Sequence, residues 1–120
     1  KPQDWVIATG VTTTVRDFVS LAFSEVGIEL EFKGEGVDEK AYVTACNNKD
    51  FKVKIGKEVL SVDPNYFRPT EVDLLIGDPS KAKNRLGWVP EHDLASLVKD
   101  MMEGDVNLMK KQLYLKNGGY

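Results

Sequence analysis

Arg68 and Glu71 are the residues whose types and spacing best suit binding chemistry. They flank Pro69-Thr70 and precede an apolar run that starts at Val72. Proline has a fixed φ and disfavours helical backbone in the residue before it, so Arg68 is predicted to be extended. A guanidinium donates through a rigid fork, and a carboxylate accepts through two oxygens. A ligand with both a phosphate and hydroxyl groups, such as a nucleotide diphosphate on a ribose, would satisfy the pair.

A purely structural interpretation competes with this one. In it, Arg68 and Glu71 form an ion pair that fixes a loop to the next strand, and most arginine–carboxylate pairs are of this structural kind. Tyr66 and Phe67 suit stacking on a base, although an aromatic residue at a strand entrance more often packs in the core. Arg16 is interpreted as a solvated charge.

Other catalytic and cofactor motifs are missing from the sequence. No glycine-rich dinucleotide fingerprint is present, and no tyrosine is followed four residues later by a lysine. His92 and Cys46 are the single histidine and the single cysteine, which excludes a histidine-rich or cysteine-cluster metal site and an intramolecular disulfide. No catalytic, cofactor-binding or metal-binding residue is therefore predicted in this chain.

The composition bounds the class of protein. With 120 residues, 42% of them hydrophobic, the chain has the size of one domain with a modest core. The net charge of −3 argues against a nucleic-acid partner. No apolar run reaches membrane-spanning length and no signal peptide is visible, so we predict no membrane partner and a cytoplasmic location.

The first third of the chain predicts an α/β arrangement. Residues 5–8 read as a buried strand, and because the chain opens directly into it, we expect further residues before Lys1. Thr14 is predicted to cap a helix that Gly27 ends. Residues 28–33 alternate between apolar and charged types, as in a half-buried strand. This strand–helix–strand order favours parallel pairing.

The middle of the chain is more polar. Residues 34–57 are predicted to be a long excursion that carries a hairpin, with arms at 41–46 and 51–55. Excursions of this kind often act as lids or contact arms, although a flexible surface insertion explains the pattern equally well. Residues 59–62 read as another short strand.

Two helices are predicted near the C-terminus. In the first, Asp78 is the N-cap, Pro79 the first helical residue and Gly87 the stop. The second begins near Asp93 and has a weak point or kink at Gly104. Its methionines suit either the inner face of the helix or a subunit contact.

Several motifs together resemble a known family. They are ATG at 8–10, TVRDF at 14–18, YFRPTEVD at 66–73, GDPSKA at 77–82 and LGWVP at 86–90. Over its whole length the chain resembles the C-terminal part of the GDP-mannose 4,6-dehydratases, a branch of the extended short-chain dehydrogenase/reductases. The last two motifs are shared by many nucleotide-sugar enzymes, whereas residues 1–10 and 66–73 are closer to the dehydratases.

The resemblance implies an α/β fold in which residues 1–120 are the C-terminal substrate-binding region of a larger enzyme. The Rossmann-like NAD(P)-binding core would be largely missing, and with it the domain that binds NADP and holds the catalytic residues. Members of this family convert GDP-mannose to GDP-4-keto-6-deoxy-mannose, a precursor of GDP-fucose. The full-length enzyme would be a homo-oligomer, and the 120-residue chain alone would be inactive.

Two residues are carried over from the family pattern. Arg68 matches the arginine that contacts the diphosphate of the substrate, and Glu71 matches the acidic residue that contacts the nucleotide ribose. The alternatives are a portion of a related nucleotide-sugar reductase or epimerase, and a stand-alone, non-catalytic α/β module that binds nucleotides. A dinucleotide fingerprint and a Tyr-x-x-x-Lys pair upstream of Lys1 would favour an enzyme over the module.

Overall fold

The computed structural model describes residues 1–71 and 74–119. Their regular elements are three helices and three strands, so the expected mixed α/β class is confirmed at that level. In chain order they are α1 (Val15–Glu25), β1 (Ile28–Lys33), β2 (Lys40–Cys46), β3 (Glu58–Ser61), α2 (Ser80–Leu86) and α3 (Leu94–Asn117), with a single 3₁₀ turn at Gly36–Asp38 between β1 and β2.

Helix α1 begins and ends where the sequence predicts. The Thr14 side chain accepts a hydrogen bond from the backbone N–H of Asp17 at 3.0 Å, which satisfies one of the free donors of the first turn. At the other end, Gly27 has φ +76°, a left-handed conformation that favours glycine and turns the chain directly into β1.

The sheet is an antiparallel meander in the order β1–β2–β3. Lys33 pairs with Lys40 at one end of the β1–β2 hairpin and Ile28 with Cys46 at the other. The predicted parallel pairing is therefore wrong for the described strands. Alternation of apolar and charged residues along β1 is typical of antiparallel sheets with one solvated face, whereas strands of a parallel sheet are apolar on both faces.

Residues 5–8 do not form the predicted strand, because no described strand pairs with them. The segment instead lies beside the start of α2. The Nζ atom of Lys81 donates to the Asp4 carbonyl at 2.8 Å and lies 4.6 Å from the centre of the Trp5 ring. Val6 and Ile7 remain 51% and 60% exposed.

The 34–57 excursion is only partly as predicted. Its first arm is β2, but β2 pairs with β1 and β3 rather than with residues 51–55, which form no strand. Residues 40–46 are therefore the central strand of the sheet, not part of a detached lid. Strand β3 confirms the prediction for 59–62 to within one residue.

Both C-terminal helices are confirmed, with small shifts. The Asp78 carboxylate accepts from the Ser80 N–H at 2.9 Å, although α2 begins at Ser80 and Pro79 precedes its first residue. Asp93 caps α3 by accepting from the Ser96 N–H at 2.8 Å. α3 runs through Gly104 as one helix of 24 residues.

The core is small, with α1 packed on α3 and on β1, and its buried residues come from the sheet, α2 and α3. The fully buried apolar residues among those described are Ile28, Ala41, Val43, Ala82 and Val98. Across the described ranges, no helix combines the length and apolar character needed to cross a bilayer.

Candidate functional site

A tight turn at residues 63–67 positions Arg68. The Asp63 carboxylate accepts from the Asn65 N–H at 2.8 Å, and the Asp63 carbonyl accepts from the N–H groups of Tyr66 and Phe67 at 3.0 and 3.1 Å. An aspartate that bonds to the backbone two residues on is a common way to fix a turn. The direction in which the chain leaves towards Arg68 is therefore set locally.

The turn is also fastened to the linker between β1 and β2. Gly36 has φ +58°, and a Cβ atom added there would lie 3.4 Å from Cζ of Phe67. The Phe67 ring thus lies beside the Gly36 backbone, whose positive φ favours glycine at this position. Phe67 is 40% exposed, so it is not a buried core residue.

Arg68 and Glu71 come together in an exposed ion pair. Nη1 of Arg68 lies 3.6 Å from Oε1 of Glu71, just beyond hydrogen-bond distance, and the side chains are 78% and 61% exposed. Exposed pairs of this kind contribute little to stability because water screens them. Most of the guanidinium donors and carboxylate lone pairs therefore face solvent, where a ligand can reach them.

Apolar residues on both sides of the pair in the sequence are exposed. Tyr66 is 83% exposed, and Leu74, Leu75 and Ile76 are 61%, 76% and 58% exposed. Residues 74–76 are not in a strand, so that part of the predicted strand after Glu71 is wrong. Val72 and Asp73, which belong to the same prediction, lie outside the described residues.

Arg16 and Glu39 form a second charged pair, which the sequence did not predict. Arg16, expected to be a solvated charge, donates from Nε to Oε1 of Glu39 at 2.7 Å and also from Nη2, with its guanidinium carbon 5.6 Å from the centre of the Phe32 ring. The pair joins the first turn of α1 to the start of β2. No local pattern signals it, because its partners are 23 positions apart.

Lys40 and Glu58 make a third contact, across β2 and β3. Their side-chain Nζ and Oε2 atoms are 3.2 Å apart. This hydrogen bond with Glu58, together with the attraction of its charge, raises the pKa of Lys40 above its ordinary value. Both side chains are exposed, so the contact aligns the two strands without adding a buried charge.

A cavity of about 960 Å³ opens between residues 9–13 and the start of α3, and neither Arg68 nor Glu71 lines it. It brings together His92, Asp93 and Ser96, residue types found in nucleophilic catalysis. Their geometry is that of a helix cap: the Ser96 hydroxyl donates to the Asp93 carbonyl at 3.1 Å, and the Asp93 carboxylate accepts from the Ser96 N–H. Donation from Ser96 to that carboxylate lowers the pKa of Asp93.

The remaining reactive groups do not form a site. The Cys46 thiol donates to the carbonyl of Phe51 at 3.4 Å, whereas His92 is exposed and 3.5 Å from the Ser96 hydroxyl. Among residues 1–71 and 74–119, no three His, Cys, Asp or Glu side chains cluster in a way that suits a metal ion.

The chain is thus a mixed α/β segment that presents an arginine–glutamate pair at its surface. It belongs to the GDP-mannose 4,6 dehydratase family, whose model matches residues 1–101. This match favours the dehydratase pattern over the related reductases and epimerases.

Individual relatives agree with the family match. The chain is 49% identical over its full length to a GDP-mannose 4,6-dehydratase of Vibrio cholerae serotype O1 and covers 32% of that protein. It is 46% identical to the Yersinia enterocolitica protein of the same name, again with full coverage of this chain and 32% of the relative. A GDP-mannose 4,6 dehydratase of Drosophila melanogaster is 46% identical over 92% of this chain and 26% of its own length. The chain therefore spans between about a quarter and a third of the length of these curated relatives.

Proposed function

We propose that this chain is the C-terminal, substrate-binding region of a GDP-mannose 4,6-dehydratase, which we call the full-length protein. In this proposal, residues 1–120 form one region that holds the nucleotide end of GDP-mannose. The full-length protein converts that substrate to GDP-4-keto-6-deoxy-mannose. Family membership and the 49% identity to the Vibrio relative support the reaction class.

The observation that carries the proposed binding role is the exposed Arg68–Glu71 pair. Arg68 donates to diphosphate oxygens through its planar fork, which matches phosphate geometry. Glu71 accepts from ribose hydroxyls, since an ionised carboxylate is a strong acceptor for such donors. The turn at 63–67 and the Phe67 contact fix the backbone that leads into Arg68.

The redox chemistry belongs outside this chain. The sequence has neither a dinucleotide fingerprint nor a Tyr-x-x-x-Lys pair. We therefore assign NADP, the Rossmann-like core and the catalytic residues to the other two-thirds of the full-length protein. NADP would accept and return the hydride that the overall conversion requires. The full-length protein is proposed to be a cytoplasmic homo-oligomer, and the 120-residue chain alone to be inactive.

The test is Arg68→Ala in the full-length protein. Loss of a charge-assisted hydrogen bond to phosphate should weaken GDP-mannose binding by about 1.5–3 kcal/mol, on the order of a 10- to 100-fold rise in Kd. NADP affinity should stay unchanged. Calorimetric titration with each ligand measures both effects.

Arg85→Ala is the matched control. It removes an arginine that donates a hydrogen bond to the Gln3 side chain at 3.4 Å, and GDP-mannose affinity should be retained. If Arg68→Ala weakens both ligands equally, the residue supports the fold and not the substrate. If the full-length protein binds GDP but has no activity with GDP-mannose and NADP, the result supports the alternative, a non-catalytic nucleotide-binding module.

A further inference from the structure

The end of α3 carries the one asparagine–glycine step of the chain. The sequence has six asparagines, and only Asn117 is followed by a glycine, Gly118. Asn117 is the last residue of α3 and Gly118 is its cap, and both are exposed. The proposed substrate-binding role uses neither residue. The side-chain amide carbon of an asparagine and the next backbone nitrogen are spaced to close a five-membered ring, so the chain can react with itself at this step.

We propose that Asn117 is a site of spontaneous deamidation, which converts it to aspartate and isoaspartate in the full-length protein. In the first step the backbone nitrogen of Gly118 loses its proton and attacks Cγ of Asn117. The new N–Cγ bond closes a succinimide ring, the bond from Cγ to the side-chain nitrogen breaks, and ammonia leaves with a proton. Water then opens the ring. Its attack at the side-chain carbonyl gives aspartate and its attack at the main-chain carbonyl gives isoaspartate, so water is the only co-reactant.

Gly118 makes this step more reactive than the other asparagine positions. Any other residue carries a Cβ atom that crowds the approach of its nitrogen to the neighbouring side chain, and glycine has none. The backbone of Gly118 has φ −81° and ψ −1°, in the right-handed region that all residues adopt. Alanine can therefore replace Gly118 without backbone strain, which makes the effect of the missing Cβ atom testable.

The helix opposes the reaction while it is closed. Helical side chains tilt towards the N-terminus, so Asn117 in α3 directs its amide away from the nitrogen of Gly118. That N–H also donates to the Tyr114 carbonyl at 3.0 Å, and the N–H of Gly119 donates to the Lys116 carbonyl at 3.3 Å. Both bonds must open before the ring can close. Because helix ends fray, the reaction proceeds through the molecules in which this last turn is open.

Asn107 provides an internal comparison within the same helix. It is exposed like Asn117, but Leu108 follows it and it lies well inside α3. Opening the backbone there would break helical hydrogen bonds on both sides of the residue, which is far rarer than fraying at an end. Both the next residue and the position in the helix therefore favour reaction at Asn117.

Conversion changes the end of α3 in two ways. It places a negative charge on the last helical residue, where the helix dipole favours a positive charge such as that of Lys116. Isoaspartate also leads the main chain through the former side-chain carbon, which lengthens it by a methylene group and disrupts the spacing of the helical hydrogen bonds. The converted protein should therefore be more acidic and exchange its amide hydrogens faster in the last turn of α3.

The test is storage of the full-length protein at mildly alkaline pH, followed by peptide mapping with mass spectrometry. The mass gain of amide-to-acid conversion should accumulate at Asn117 and not at Asn107. It should accumulate faster at higher pH, because the attacking nitrogen must lose its proton. Isoaspartate is identified with an isoaspartyl methyltransferase and a labelled methyl donor, and the variant Asn117→Asp gives the elution position of the aspartate form.

Two variants separate the chemistry of the step from the opening of the helix. Gly118→Ala should slow the conversion about tenfold, because its Cβ atom crowds the attacking nitrogen. Lys116→Gly weakens the last turn and should speed the conversion about three- to fivefold.

The decisive comparison is with a synthetic peptide of residues 113–119 in the same buffer. If the peptide converts while Asn117 of the full-length protein stays intact, the proposal is overturned, because the end of α3 then does not open. It is also overturned if Asn107 converts as fast as Asn117, or if either Gly118→Ala or Lys116→Gly reacts at the rate of the parent.

Discussion

Thr14 controls the position of Arg16 through a single hydrogen bond. Its side chain accepts from the Asp17 N–H and so fixes where α1 begins. Arg16 is the second residue of that helix, and its guanidinium bonds to Glu39, the residue just before β2. The start of α1 is therefore tied both to its own first turn and to β2.

Thr14→Ala should loosen the first turn of α1, because the Asp17 N–H loses its acceptor. The loss of an N-cap of this type costs about 1 kcal/mol, which corresponds to roughly fivefold faster opening of the first turn. Hydrogen exchange followed by mass spectrometry on peptides covering α1 of the full-length protein measures this. Thr14→Ser keeps the accepting oxygen and should exchange like the parent. If the serine variant exchanges as fast as the alanine variant, the cap is not the cause.

The separation of partners along the chain decides which contacts the sequence predicts. The caps at Thr14 and Asp93 and the Arg68–Glu71 pair join residues three positions apart, so residue types and local geometry suffice to predict that they meet. Arg16 and Glu39 are 23 positions apart, and Lys81 and Asp4 are 77 apart. Contacts of this second kind depend on how elements pack, which a single sequence does not encode locally.

At the scale of elements, α3 depends on the ionised state of its cap. Hydrogen bonds from the Ser96 backbone N–H, and then from its side chain, lower the pKa of Asp93 below its ordinary value. The folded helix thus binds a proton at this carboxyl less readily than the unfolded chain does. The cap therefore stabilises α3 fully above the unfolded pKa, about 3.9, and loses this effect as pH falls through the lower folded pKa.

Acidification from pH 6 to about 3 should therefore open the first turn of α3. Protection factors for amides in the first turn, corrected for the intrinsic exchange rate at each pH, measure the effect in the full-length protein. Asp93→Asn keeps a capping oxygen without a titrating group, so its protection should be nearly independent of pH. Asp105→Asn, in the middle of the same helix, is the control and should respond to acid like the parent. If Asp93→Asn leaves the acid response of the parent unchanged, the cap carboxylate is not its origin.

The sheet shows what pattern reasoning captures at this scale. The period of two along Ile28–Lys33 predicts the strand correctly, and the same period, with one polar face, also indicates an antiparallel partner. The parallel prediction gave more weight to the order strand–helix–strand. The parallel prediction depended on residues 5–8 forming a strand. These residues are apolar, but Val6 and Ile7 are exposed and no described strand pairs with the segment. Apolar composition indicates that a segment will be buried, but not against what.

At the scale of the whole molecule, the chain has too much surface for its size. Its accessible area is 9998 Å², whereas a compact protein of 13.4 kDa exposes about 6,500 Å². Its radius of gyration is 18.8 Å, compared with about 14 Å for a compact domain of this length. Part of the excess lies on residues 4–12 and 75–81, which run side by side through the Thr12–Leu75 and Lys81–Asp4 hydrogen bonds.

The isolated 120-residue chain should therefore bind a hydrophobic dye such as anilinonaphthalene sulfonate strongly, and the full-length protein much less per mole. Ile7→Gln in the isolated chain should reduce the fluorescence, because that side chain belongs to the exposed apolar surface. Lys52→Gln, on a polar loop, is the control and should not change it. A monodisperse monomer that leaves the dye dark would contradict the proposal that a larger protein covers this surface.

The Lys81 contact also has a mechanical consequence. Its ammonium holds the Asp4 carbonyl and lies over the Trp5 ring, so the first residues of the chain are bound to α2 and not to the sheet. Tension applied at Lys1 would reach α2 before it reached α1 or β1, and it would be carried by the Arg85–Gln3 and Lys81–Asp4 hydrogen bonds and by the contact of Lys81 with the Trp5 ring. Those contacts would yield first, and the strands would still be paired when they did.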